Sequence, residues 1–173
     1  MKIFGLAGWS GAGKTSLIVR LLPELVGRGI TVSTMKHAHH AFDIDQPGKD
    51  SHEHRQAGAT EVLVTSANRW ALMHELRGAP EASVEALIAH MTPADLLIIE
   101  GFKDHVHDKL EVFRRDVGKP LLCISDPCVV AVASDAPVPE ARVPVIDLGN
   151  TRAIADFIVA HCGLTRGRAR GVA

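Results

Sequence analysis

Residues 8–15 read Gly8-Trp9-Ser10-Gly11-Ala12-Gly13-Lys14-Thr15 and are the most informative segment of the chain. The segment matches the phosphate-loop pattern G-x-x-x-x-G-K-[ST] at every fixed position. Its glycines allow a tight turn whose backbone N–H groups point at phosphate oxygens, and a helix that follows adds the positive end of its dipole. We therefore predict a nucleotide site in which Lys14 reaches the β and γ phosphates and Thr15 offers its hydroxyl to Mg²⁺.

The surroundings of this loop favour a ligand site over a glycine-rich turn that binds nothing. An apolar segment, residues 3–7, precedes the loop and indicates a buried strand, while apolar residues at helical spacing follow it over residues 13–28. Strand, loop and helix in that order are the context that supports the pattern. The predicted nucleotide contacts are Gly8, Ser10, Gly11, Ala12, Gly13, Lys14, Thr15, Ser16, Lys36 and Lys103.

Strands and helices alternate along the rest of the chain. Several further segments are apolar enough for strands buried on both faces, namely residues 95–100, 121–124, 129–133 and 143–146. Residues 61–65 and 69–75 flank a polar turn and indicate a hairpin. We predict one α/β domain over residues 1–173, of the P-loop NTPase type. It has a mainly parallel sheet with helices on both faces, to which the hairpin would add an antiparallel extension.

A second acidic motif follows an apolar strand at Leu96-Leu97-Ile98-Ile99-Glu100. This arrangement is typical of a Walker B strand, with Glu in place of Asp, and we expect it beside the first strand. Lys14 and Glu100 are the predicted catalytic residues, and Thr15, Asp50 and Glu100 are the predicted Mg²⁺ ligands, since Mg²⁺ favours carboxylate and hydroxyl oxygens together with phosphate. Asp50 is equally compatible with a turn or a helix cap.

A histidine-rich loop lies between these motifs and includes His37, His39 and His40, with Asp43 and Asp45 close behind. One interpretation is a transition-metal site, because His and Asp are good ligands. The spacing matches no closed tetrahedral pattern. We favour the other interpretation, a polar loop that touches phosphate or a second ligand.

The bulk composition is that of an ordinary globular protein. The chain has 173 residues, 46% hydrophobic and 23% charged, with a net charge of −1, so nothing suggests a nucleic-acid or membrane partner. The three cysteines do not form a disulfide framework. We see no signal peptide and no apolar run long enough to span a bilayer, so we expect a cytoplasmic protein.

Four blocks together resemble the MobB family, the accessory GTP-binding proteins of molybdopterin guanine dinucleotide biosynthesis. The blocks are residues 8–15, 36–45, 47–59 and 97–103, and the likeness covers nearly the whole chain. It implies binding and slow hydrolysis of GTP with Mg²⁺, and a fold similar to dimeric P-loop GTPases and dethiobiotin synthetase. It also implies a homodimer formed through the extended sheet, and assistance to a MobA-like guanylyltransferase that joins GMP to molybdopterin.

One departure from the usual GTP-binding pattern keeps other functions open. The chain contains no N-K-x-D guanine signature, and Asp135 is one of several groups that could accept hydrogen bonds from a guanine edge. An ATP-dependent small-molecule kinase or ligase is the first alternative, with Arg114 and Arg115 as candidates for a lid. A metal-chaperone GTPase that uses the histidine-rich loop is the second.

Overall fold

The computed structural model describes residues 1–38, 42–102 and 105–165. The elements in chain order are β1 (Lys2–Ala7), α1 (Lys14–Val26), β2 (Val32–Lys36), α2 (Asp50–Gln56), β3 (Glu61–Thr65), β4 (Trp70–His74), α3 (Val84–Ala89), β5 (Leu96–Glu100), β6 (Lys109–Phe113), β7 (Val129–Ser134), β8 (Val145–Asp147) and α4 (Thr151–His161). They belong to two compact units, a first unit of Met1–His37 with Thr92–Ala173 and a second unit of Ala38–Met91. The single domain over residues 1–173 stays a prediction. Among the helices that the structure describes, none combines the length and the apolar character needed to cross a membrane.

The first unit is built on a six-stranded sheet in the order β2-β5-β1-β6-β7-β8, and every neighbouring pair is parallel. The predicted parallel sheet is confirmed, and β5 lies beside β1 as expected. The register pairs Leu6 with Glu100 and Lys36 with Glu100. The carboxyl ends of β1, β2 and β5 therefore meet at one edge of the sheet, where ligands of such sheets bind.

One face of this sheet is covered by α1 and α4. Phe4 and Leu6 of β1 point into this core, where they meet Leu17 of α1 and Ile154 of α4, and all four are at most 1% exposed. Each such side chain contributes roughly 1.5–3 kcal/mol when it leaves water. Both flanks of the glycine-rich loop, β1 and α1, are thus fixed by buried contacts, which gives the loop a rigid frame.

Residues 121–124 do not form the predicted strand, because Leu122–Ile124 is a short 3₁₀ helix. The amides of Leu122 and Cys123 donate to the carboxylate of Glu111 at 2.8 and 2.9 Å. Backbone groups that bond a side chain in this way are withdrawn from a sheet ladder. The Glu111 side chain is fully buried on β6, and this burial raises its pKa.

The second unit contains the predicted hairpin, which forms a two-stranded antiparallel sheet that pairs Leu63 with Leu72. In α2, the guanidinium of Arg55 contacts three carboxylates, those of Asp43, Asp45 and Glu75, at 2.7, 3.3 and 2.9 Å. These contacts tie the acidic loop, the helix and the hairpin of this unit together.

The ring of His107 packs against Gly5 in the middle of β1. A Cβ added to Gly5 would lie 2.4 Å from Nε2 of His107, so only glycine leaves room for the ring. Nδ1 of His107 shares a 2.8 Å hydrogen bond with Nδ1 of His105. Burial, with smaller effects from Lys109 and His105, lowers the pKa of His107 from 6.5 to about 4.

This half-buried histidine should make stability depend on pH. In the unfolded chain His107 takes up a proton near pH 6.5, whereas in the folded protein it stays neutral down to about 4. The unfolded state then binds more protons, so the free energy of unfolding should fall by up to about 3 kcal/mol as the pH drops through that window. Urea unfolding between pH 7 and 4.5 measures this slope. His107→Asn should flatten it, the exposed-site control His90→Asn should not, and equal slopes in all three proteins would contradict the assignment.

Candidate functional site

The glycine-rich loop, residues 8–13, connects the end of β1 to the start of α1 and depends on three left-handed glycines. The φ angles are 140° at Gly8, 84° at Gly11 and 99° at Gly13, a region that other residues rarely adopt. At Gly8 the space is also closed, because an added Cβ would lie 2.5 Å from the carbonyl oxygen of Val112 on β6. The loop can therefore approach β6 closely only with glycine at position 8.

Two alanine substitutions in this loop should lower the free energy of unfolding by different amounts. Gly11→Ala meets no atom within 4 Å, so it should cost only the left-handed penalty of about 1–2 kcal/mol. Gly8→Ala adds a clash with backbone and should cost about 3 kcal/mol or more. Thermal unfolding of the two variants measures the difference, and equal losses of stability would argue against the close approach to Val112.

Lys14, the first residue of α1, folds back across the loop. Its Nζ donates to the carbonyl oxygens of Gly8 at 2.8 Å and Trp9 at 3.1 Å. Ala12 is buried beneath the loop, whereas Ser10, Gly11, Thr15 and Ser16 are exposed. Lys14 thus holds a positive charge over a backbone concavity whose outer residues are accessible to solvent.

Three predicted site residues meet where β1, β2 and β5 end. The hydroxyl of Thr15 donates to Oε1 of Glu100 at 2.9 Å, and Nζ of Lys36 lies 3.8 Å from Oε2 of the same carboxylate. Glu100 is mostly buried, so its charge is only partly screened by water. The cluster offers a hydroxyl and a carboxylate, the oxygen ligands that Mg²⁺ prefers, beside the mouth of the loop.

The roles of the other predicted site residues stay predictions. Asp50 is the first residue of α2 in the second unit, and its place in a magnesium site stays a prediction. Lys103, His39 and His40 lie outside the described residues. Within the described part of the chain, no group of three His, Cys, Asp or Glu side chains could hold a metal ion.

Arg114 forms a hydrogen bond to the glycine-rich loop, a contact that was not predicted from the sequence. It directly follows β6, and its Nε donates to the carbonyl oxygen of Ala12 at 3.2 Å. Its Nη1 forms an ion pair with the carboxylate of Asp135, which follows β7. From its place in the sequence, Arg114 is a candidate only for a lid. The available signal was incomplete, because Asp135 lies just after the predicted strand of residues 129–133, whereas β6, the strand before Arg114, was not predicted.

Close packing between His37 and residues 101–102, which was also not predicted, fixes the turn after Glu100. Gly101 has a φ of 99°, and a Cβ there would lie 2.8 Å from Cβ of His37. The rings of His37 and Phe102 pack with centroids 4.6 Å apart, and Phe102 keeps a φ of 47° that is uncommon outside glycine. These contacts hold the ends of β2 and β5 together and so support the position of Glu100.

Known proteins match this chain by sequence and by fold. The family model described as MobB, molybdopterin guanine dinucleotide synthesis protein B, matches residues 3–135. The molybdopterin-guanine dinucleotide biosynthesis adapter protein of Escherichia coli strain K12 is 41% identical over 160 residues, 91% of each chain. The protein of the same description from Haemophilus influenzae is 38% identical over 156 residues, 90% of this chain and 86% of that one.

A solved structure supports the architecture. The crystal structure of Bacillus subtilis MobB has a TM-score of 0.72 at 21% identity, covering 94% of this chain and 98% of that one, which shows a shared fold. The family model spans most of the chain, and both relatives align along nearly their whole length. The resemblance seen in the sequence is therefore confirmed, and this chain belongs to the MobB family of molybdopterin guanine dinucleotide synthesis proteins.

Proposed function

We propose that this chain binds GTP with Mg²⁺ at residues 8–16, hydrolyses it slowly, and acts as an adapter in molybdopterin guanine dinucleotide biosynthesis. The proposal rests above all on the 2.9 Å hydrogen bond between the Thr15 hydroxyl and the Glu100 carboxylate. A hydroxyl at the helix start and an acid at the end of the neighbouring strand are the usual protein partners of a nucleotide-bound Mg²⁺ in this fold class.

Different residues of this site would bind the phosphates and the magnesium ion. Backbone N–H groups of the glycine-rich loop and the start of α1 favour phosphate oxygens, and Lys14 supplies the charge-assisted contact. Thr15 and Glu100 fit a magnesium ion, which when bound would neutralise charge on the phosphates. Lys36, whose Nζ lies 3.8 Å from Glu100, would supply a second positive charge near bound phosphates.

The adapter role follows from the relatives. Both are described as molybdopterin-guanine dinucleotide biosynthesis adapter proteins, and they align with at least 90% of this chain. We infer that the partner is a MobA-like guanylyltransferase that acts on molybdopterin, as the family resemblance implies. The cytoplasmic location predicted from the sequence stays a prediction.

Calorimetric titration tests the nucleotide part of the proposal. The protein should bind GTP in the presence of Mg²⁺ more tightly than ATP, and phosphate release should be slow compared with exchange of the nucleotide. Tight ATP binding without GTP binding would reject the proposal in favour of the kinase or ligase alternative. Rapid phosphate transfer from ATP to a small metabolite would also favour the kinase or ligase alternative.

A homodimer is the expected assembly. The hairpin of the second unit exposes large apolar side chains on one face, including Leu63 at 59% and Trp70 at 61% exposure. Two-stranded ribbons are marginally stable alone, and exposed apolar faces commonly become interfaces. Sedimentation should therefore give about twice the chain mass of 18.6 kDa. A mass of one chain at micromolar concentration would contradict this prediction.

A further inference from the structure

Arg114 links the glycine-rich loop to Asp135, which follows the end of β7. Its guanidinium is used at two positions, with Nε donating to Ala12 O at 3.2 Å and Nη1 paired with Asp135. An added Cβ on Gly13 would lie 3.7 Å from Nε, so the guanidinium packs against the loop as well as bonding to it. Ala12 and Asp135 lie far apart in sequence, and the single guanidinium of Arg114 joins their two segments.

The sheet explains why these groups meet. β6 lies between β1 and β7, and its register pairs Phe113 with Ser134. Arg114 and Asp135 each follow the last residue of their strand, so both emerge at the edge that carries the glycine-rich loop. The two side chains remain 42% and 39% exposed, which leaves the pair accessible to a ligand.

We propose that Arg114 is a positioning residue that ties the phosphate end of the nucleotide site to Asp135 and holds this carboxylate to read a guanine base. The inference rests on the proposed function, because it assumes that nucleotide phosphates occupy the loop. It adds a base-selecting pair to a chain that has no N-K-x-D signature.

The chemistry of the two purines supports this assignment. The guanine edge presents two neighbouring donors, N1–H and the 2-amino group, whereas adenine presents an acceptor at N1. An ionised carboxylate only accepts hydrogen bonds, so it matches guanine and leaves adenine poorly paired. Because the Arg114 guanidinium is a rigid planar fork, it can fix Asp135 and the loop at once, which a lysine ammonium cannot do with the same geometry.

The test compares nucleotide affinities of four variants with those of the unaltered chain. Calorimetry with Mg²⁺ and GTP, ATP or xanthosine triphosphate is applied to Arg114→Gln, Arg114→Lys, Asp135→Asn and the matched control Arg115→Gln. Arg115 carries the same charge one position along, but its Nη2 contacts Pro137 and Glu140 instead of the loop. Thermal unfolding checks that each variant is folded.

Both Arg114 variants should lower the GTP-over-ATP preference by about tenfold, mainly through weaker GTP binding. Asp135→Asn should weaken GTP by about tenfold or more and improve binding of xanthosine triphosphate, whose 2-oxo group accepts from the new amide. Arg115→Gln should leave the preference unchanged.

Three results would overturn the inference. The first is an unchanged GTP preference in either Arg114 variant, and the second is an equal loss of GTP and ATP, which would make Arg114 only a brace for the loop. The third is no gain of xanthosine triphosphate binding in Asp135→Asn. If the unaltered chain binds neither triphosphate, the proposed function itself fails. That outcome differs from an effect confined to the variants.

Discussion

Lys14→Ala should lower the affinity for GTP by a factor of about 100 or more, because it removes a charge-assisted contact to the phosphates. The Lys14 ammonium is already held over the loop by the carbonyl oxygens of Gly8 and Trp9. The site therefore loses a preorganised positive charge rather than a mobile surface group. ATP should lose affinity by a similar factor, since Lys14 contacts phosphates and not the base.

The matched control for this variant is Lys2→Ala. Lys2 begins β1 and is exposed, so it carries the same charge at the opposite end of the strand that leads into the loop. Calorimetric titration of both variants with Mg²⁺ and GTP gives the comparison. Unaltered GTP affinity in Lys14→Ala, or equal losses in the two variants, would mean that the nucleotide does not bind at this loop.

Much of this site could be predicted from sequence because its signals are local. The glycine and lysine pattern of residues 8–15 specifies a strand, a left-handed turn and a helix in direct succession. Glu100 was predictable because four apolar residues before it mark a buried strand. In a parallel sheet such a strand ends at the same edge as β1.

Features that depend on distant partners could not be predicted in this way. Residues 121–124 have a strand-like composition, but the buried Glu111 carboxylate takes two of their amides and a 3₁₀ helix results. The pairing of Arg114 with Ala12 and Asp135 depends equally on strand order, which no local pattern encodes.

Glu100→Gln should separate metal-dependent hydrolysis from nucleotide binding. The amide oxygen can still accept the Thr15 hydrogen bond seen at 2.9 Å, so the local packing should be kept. The change removes the negative charge that would attract Mg²⁺. Mg²⁺-dependent GTP hydrolysis should therefore fall by about 100-fold, and most of the gain in GTP affinity on adding Mg²⁺ should disappear.

Without Mg²⁺ the same variant should bind GTP at least as well as the unaltered chain. A carboxylate beside phosphates is repulsive when no cation lies between them, and Glu100 is mostly buried, so this repulsion is weakly screened. Titrations in chelator and in Mg²⁺, with phosphate release measured in parallel, distinguish the two effects. Glu140→Gln, an exposed acid in the same unit, is the control and should change neither quantity. If Glu100→Gln loses binding and hydrolysis to the same extent in both conditions, the carboxylate supports the fold of the site and does not hold the metal.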